Sequence, residues 1–240
     1  MMTLEEYLTP DPSLRPPAAS PTFIPDTKPS RASRKISLHS KGSVRGFDFI
    51  DGRKTWYEAE LEWKCGLVAK LLTEVVDIVE QPPAVTYLDE DGNERRHTFD
   101  WLVVKADGTK WLFAVKPAAL VEKSGIERII DLIASQIPRS TADFITLFTE
   151  HKLTAVDLFN AELVHHVQKD EFPDDDAVVA KLVKRLRGTV TIASLVERSK
   201  LGGYGFNAVV RAVADGRLRL VEYRKIDYDA VVTRGGAKAR

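Results

Sequence analysis

A mixed α/β fold, with helices around a sheet and a smaller helical domain after it, is what this 240-residue sequence predicts. Three observations carry the prediction. Apolar-periodic helical stretches bracket a run of alternating, strand-like segments. Those segments meet at Asp91-Gly92 and Asp107-Gly108, a strong hairpin signal. After "KDEFPDDD" the pattern changes to three short helices and a β-ribbon.

Residues 8–33 hold most of the chain's prolines, as in "LTPDPSLRPPAASPTFIPDTKPS", within a first segment read as 1–45. Proline removes backbone donors and fixes φ, so a disordered arm is expected there. Its second half carries Lys28, Arg31, Arg34, Lys35, Lys41 and Arg45 with no acidic residue between them. A nucleic-acid backbone contact through Arg34 and Lys35 and a solvated linker both fit that run.

"WYEAELEWKCGLVAKLLTEVVDIV" reads as one helix. Leu61, Cys65, Val68, Leu72 and Val75 recur on one apolar face, so Cys65 reads as core. "EQPPAV" ends it, because a proline pair cannot continue a helix. Strands follow in "AVTYL", "HTFDWLVVK" and "TKWLFAV". "SGIERIIDLIASQI" is a helix presenting Ile126, Ile129, Ile130 and Ile133, "ADFITLFT" a strand, and "AVDLFNAELVHHV" a helix. The two main domains are expected at 46–168 and 169–240. In the second, "AVVAKLVKRLRG", "TIASLVERSKLGG" and "GFNAVVRAVADG" form helices and "RLRLVEYRKID" a ribbon, the plan of a winged helix-turn-helix.

Lys+Arg and Asp+Glu each number 35, so a nucleic-acid case must rest on local patches. One cysteine excludes an internal disulfide and a Cys-based zinc cluster, and fits a reducing cytoplasm. No apolar run is long enough to span a bilayer, so no membrane partner is expected.

The chemistry lies in the hairpin from Arg95 to Pro117. Strand alternation puts Ala114 and Lys116 on one face, Phe113 and Val115 on the other. A two-residue loop at Asp107-Gly108 sends Asp100 to the wrong side. A three-residue loop, Ala106-Asp107-Gly108, sets Lys105 opposite Thr109 and Asp100 opposite Ala114, so Asp100 and Lys116 converge. Phosphodiester hydrolysis calls for a metal held by carboxylate oxygens, which suit Mg2+ or Mn2+. A neighbouring lysine stabilises developing charge. Asp100 and Lys116 supply one ligand and the cation, and Glu62 is a candidate second ligand. Taken alone the pair is a weak motif, and a solvated face for Glu58, Glu60 and Glu62 with a surface role for Lys116 is the reading it favours.

In order and spacing, these residues resemble a known family. "E-x-x-x-E" in a helix, "EQPP" after it, "HTFDWLV" on a strand and "AVKP" on the next resemble the TnsA-like endonuclease subunit of heteromeric transposases. That family belongs to the PD-(D/E)xK superfamily, with a restriction-endonuclease-like sheet flanked by helices. The resemblance spans roughly Phe47 to Val167, and a winged-helix domain after the nuclease is similar to the family arrangement. It implies Glu62, Asp100 and Lys116 as catalytic residues, with Gln81 and Pro82 as the signature after the first helix. It implies cleavage of double-stranded DNA at the 5′ ends of a mobile element, beside a DDE-type transposase. The family carries an acid or Gln where this chain has Ala114. Glu62, Asp100 and the Val115 carbonyl are then expected to hold one ion, with Ala114 lowering affinity. The alternative is a degenerate nuclease fold that binds DNA or the transposase without cutting.

In the winged-helix plan the third helix reads the groove. Asn207 and Arg211 share a face of it, and Arg217, Arg219, Arg224 and Lys225 cluster in the ribbon. Docking of a protein partner fits the same plan. His165 and His166 are adjacent and point to different faces, so a metal site there is not expected. "LGGYGF" lacks a phosphate-binding lysine and reads as a turn.

Overall fold

The computed structural model describes residues 27–35, 44–72, 74–169 and 172–236. It is a mixed α/β structure with seven helices among the described residues. No helix among them is long and apolar enough to cross a membrane.

The chain enters through an antiparallel hairpin, β1 (Gly46–Ile50) and β2 (Arg53–Tyr57). Asp51 and Gly52 form its two-residue turn with φ of 52° and 68°, the mirror-image turn that suits strand twist. The sequence reading began a helix at Trp56 and missed this hairpin. Helix α1 is shorter than expected, Glu60–Leu71, and Val75–Glu80 is strand β3. The β-branched run "VVDIV" prefers a pleated surface to a helix.

Strand β3 edges a four-stranded sheet in the order β3, β6 (Trp101–Lys105), β7 (Lys110–Val115), β8 (Phe144–Phe148). β3–β6 and β6–β7 are antiparallel, and β7–β8 is parallel. Helices α2 (Ala118–Ser124) and α3 (Ile126–Gln136) make the crossover between β7 and β8. A hairpin of β4 (Val85–Leu88) and β5 (Glu94–His97) precedes β6. The expected single strand "HTFDWLVVK" is therefore broken between His97 and Trp101, where Phe99 turns fully into the core.

Two apolar cores sandwich the sheet. One contains Cys65, Leu67, Ile78, Trp101, Val103, Val115 and Phe148, together with Ala161 of helix α4 (Ala155–Val167). The other packs Leu112 and Ala114 with Val85, Phe99, Ile126, Ile130 and Ile133. The alternation expected for β7 is thus realised, since Ala114 and Val115 enter different cores. A Cβ on Gly66 of α1 would come within 2.4 Å of the Trp101 ring. That close approach explains a glycine inside a helix, where it otherwise costs about 1 kcal/mol against alanine. Trp101 Nε1 donates to the Glu62 carbonyl at 2.9 Å, fixing α1 on the sheet.

The C-terminal unit consists of α5 (Pro173–Arg185), β9 (Thr189–Thr191), α6 (Ile192–Ser199), α7 (Gly203–Ala214), β10 (Leu218–Leu220) and β11 (Val231–Arg234). Its antiparallel sheet runs β10-β11-β9. The expected ribbon over "RLRLVEYRKID" is corrected: only Leu218–Leu220 is strand, and its partner is β11 beyond a loop. Val164 and Val167 of α4 belong to this unit's core. Asn160 of α4 donates to the Arg224 carbonyl and accepts from Ile226 N–H at 2.7 Å. Helix α4 therefore joins the two units instead of ending the first.

Candidate carboxylate–lysine site

The β6–β7 turn decides whether Asp100 and Lys116 meet. Its loop is Ala106-Asp107-Gly108, with Gly108 at φ 85°. Lys105 N–H donates to Thr109 at 2.9 Å, and Gly108 N–H to Lys105 at 2.9 Å. The register pairs Trp101 with Phe113, so Asp100 stands opposite Ala114. On its other side, Glu80 pairs with Trp101, so Gln81 stands opposite Asp100. Gln81, Asp100 and Ala114 thus occupy one row across three strand ends.

Asp100 is held by backbone on both sides. Its N–H donates to the Phe113 carbonyl at 2.9 Å, and its carboxylate accepts from Val115 N–H at 2.6 Å. Burial, then the charge of Glu62, pushes its pKa up to about 7 against the Val115 N–H, Lys116 and Arg34. Glu62, in the first turn of α1, accepts from Glu58 N–H at 2.8 Å. The bond reaches back to the residue before the N-cap Ala59, so the carboxylate helps to start its helix. Burial and the charge of Glu58 raise its pKa, while backbone donors and Arg34 lower it. The two carboxylates therefore share one field, with Lys116 and Arg34 as the cations acting on Asp100. Lys116 is half-buried, and its N–H donates to Phe148 at 2.9 Å. His97 lies near enough for burial and Lys116 to lower its pKa.

Two features were not legible in advance. Gln81 is 2% exposed with φ 40°, and neither atom of its side-chain amide has a partner. A non-glycine residue at positive φ costs about 1–3 kcal/mol and persists only where its surroundings impose it. Here Ser33 N–H donates to the Gln81 carbonyl, and Ser33 Oγ to that of Pro82, both at 2.9 Å. Ala114 is 2% exposed among apolar side chains. A longer acid at 114 would therefore start inside the core.

Ser33 belongs to the segment 27–35, expected to be disordered, and that expectation is corrected. Ser30 Oγ and Arg31 N–H donate to buried Glu80, and Arg31 grips Asp77 with both terminal nitrogens. Buried Glu80 needs these donors, which is why the segment packs. Arg34 makes a two-pronged ion pair with Glu58 at 2.8 and 2.9 Å; Lys35 is exposed. The other residues of 1–45, apart from Val44 and Arg45, lie outside the described residues.

In the C-terminal unit, Asn207 is half-buried and Arg219 exposed. Arg217 pairs with Asp215 at 2.8 Å. Arg211 is 7% exposed; it pairs with Asp176 at 2.8 Å and donates to the Val167 carbonyl at 3.1 Å. The assignment of Arg211 to DNA is corrected: it is a core guanidinium, because α5 and α4 close over that face of α7. His165 Nε2 bonds Asp48 at 2.6 Å, a structural role in keeping with the sequence reading.

Among the described residues no group of three His, Cys, Asp or Glu side chains is arranged to hold a metal. Two carboxylates and an unpartnered buried amide remain, an all-oxygen donor set of the kind Mg2+ or Mn2+ accepts. No protein-family model matches the chain, and no curated protein matches it.

Proposed function

We propose that Glu62, Asp100 and Lys116 form the metal-dependent site of a DNA endonuclease that cuts the 5′ ends of a mobile element beside a DDE-type transposase. One observation carries this reading: half-buried Asp100 lies in the field of a second carboxylate, Glu62, and burial with that charge pushes its pKa up to about 7. Two carboxylates forced together without a full counter-charge favour a proton or a divalent cation between them. A mixed sheet flanked by helices supports a restriction-endonuclease-like domain, and the order helix, strand, two helices, two strands supports a winged helix after it.

Glu62 and Asp100 would hold Mg2+ or Mn2+, which when bound polarises the phosphate and lowers the pKa of water. Asp100 is oriented by the Val115 N–H and Glu62 by the start of its helix. Lys116 offers charge to the phosphate oxygens as they become more negative. Gln81 has a free amide oxygen in the row of Asp100, opposite the side on which Ala114 lacks one. The protein's single cysteine, buried and inert, is in keeping with a cytoplasmic site of action.

A second reading rests on Ala114 itself. Its place in the core favours a nuclease fold that binds DNA or the transposase without cutting. Cleavage of end DNA in a Mg2+ or Mn2+ titration, with the transposase present, separates the two. Wild-type cutting that Asp100→Ala abolishes supports the nuclease. Transposition that requires the protein while its 5′ ends stay intact supports the second reading.

A further inference from the structure

We infer that the C-terminal unit holds a binding cleft for the phosphates of a DNA backbone, where the end of α5 meets β9 and β11. The inference rests on DNA being the partner, and not on the carboxylate site being active.

Lys184, Arg185, Leu186, Arg187 and Arg234 line a cleft of about 410 Å³. Leu186 is 8% exposed and belongs to the core, so the accessible lining is four cations. All four are exposed, and none forms an ion pair with a described residue. Three other arginines of this unit, Arg211, Arg217 and Arg224, each pair with an aspartate.

Helix electrostatics explain only part of the cluster. Lys184 and Arg185 sit in the last turn of α5, where cations complement the helix dipole. Arg187 lies beyond the helix. Arg234 arrives from β11, and one of its nitrogens donates to the Lys184 carbonyl at 3.4 Å. Its other donors are uncommitted, and a guanidinium presents five in a fork that matches phosphate. Like charges gathered around one concavity repel, and a bound polyanion relieves that repulsion.

The neighbouring row indicates a chain of phosphates instead of a lone anion. Arg219 pairs with Thr233, and Thr233 with Thr189, so the three share the outer face of the sheet. Arg219 is exposed there, one strand position from Leu218, the partner of Arg234, so the outer face adds a cation beside the cleft although Arg234 itself lies on the alternate face. Arginine and threonine are common partners of DNA phosphates. Helix α7 is poorly placed for the role expected of it: Ala208, Val209, Val210, Arg211 and Ala212 are all buried.

The test is duplex-DNA binding by the full chain in EDTA, followed by fluorescence anisotropy across a salt series. Lys184→Gln, Arg187→Gln and Arg234→Gln are combined in one variant. A matched variant removes three exposed cations of the other unit, Arg96, Lys123 and Arg139. The expected result is about a 10-fold or greater loss of affinity at low salt and a salt slope shallower by about two to three, since each phosphate contact contributes ~0.9. The matched variant keeps the wild-type slope. Unfolding midpoints equal to wild type show that the fold is retained. An unchanged slope in the cleft variant, or an equal loss in the matched variant, overturns the cleft. Saturable binding of inorganic phosphate that the cleft variant loses, with DNA affinity unchanged, also overturns it in favour of a free anion. Wild type that binds no DNA sinks the wider DNA reading and not the cleft alone.

Discussion

Gln81 faces Asp100 across the β3–β6 pairing, and its N–H donates to the Asp100 carbonyl at 2.8 Å. The same residue carries a buried amide with no partner and a backbone at φ 40°. An orphaned buried polar group costs about 1–3 kcal/mol and asks for an explanation.

If Gln81 lends its oxygen to an ion held by Glu62 and Asp100, Gln81→Ala weakens Mn2+ binding by roughly 10-fold or more, the range seen when supporting groups are lost. Mn2+ titration followed by electron paramagnetic resonance measures this without cleavage. Equal Mn2+ affinity in wild type and Gln81→Ala removes Gln81 from the site.

Ala114→Glu introduces a carboxylate into an apolar core. It is expected to destabilise the protein by at least about 2 kcal/mol in EDTA, from overpacking and an unpaired buried group. Saturating Mg2+ recovers part of that loss if the new carboxylate reaches the ion, since a ligand at 100 times its Kd adds about 2.7 kcal/mol. Denaturant unfolding with and without Mg2+ gives both numbers. A loss that Mg2+ does not touch means position 114 is core alone.

Gly66→Ala places a methyl group against the Trp101 ring. Although alanine is the better helix former, the variant is expected to lose about 1–3 kcal/mol in urea unfolding, because the ring and helix must separate. A more stable variant would mean that the contact between Gly66 and Trp101 is slack.

Asp48 makes acid stability a local question. Burial pushes its pKa up, but bonds from His165, Phe49 N–H and Trp63 Nε1 outweigh burial and hold it well below the usual range. A depressed carboxylate stabilises fully above its unfolded pKa of about 3.9 and loses that contribution as pH falls toward the folded value. Asp48→Asn is expected to cost about 1.5–3 kcal/mol at pH 7, the worth of hydrogen bonds to a charged group. The gap from wild type should narrow steadily below about pH 4. Urea midpoints at pH 7, 4 and 3 follow it, and a gap independent of pH removes Asp48 as the cause.

Much of the sheet was legible because turn chemistry is local. Asp107-Gly108 with Ala106 allowed the three-residue loop, and that loop alone sets Asp100 opposite Ala114. The β1–β2 hairpin carried the same Asp-Gly signal at Asp51-Gly52, yet that signal was passed over and the helix of α1 was extended back to Trp56, into the end of β2. A helical period cannot mark its own ends, and here Glu62 reaching back to Glu58 N–H helps to set the start.

The sequence by itself determined which faces are apolar, where the hairpins turn and in what order acids and lysine occur, because each depends on neighbours a few residues away. Only the tertiary structure decided what those side chains meet. Arg211 became a core ion pair because Asp176, 35 positions earlier, closes over it. Gln81 acquired its strained backbone and bare amide at a junction of β3, β6 and the 27–35 segment. Ala114 turned from a missing ligand into a packed wall because α3 folds across β7. Burial and pairing belong to contacts between distant segments, and burial is what sets whether a charge is a ligand, a clasp or part of the core.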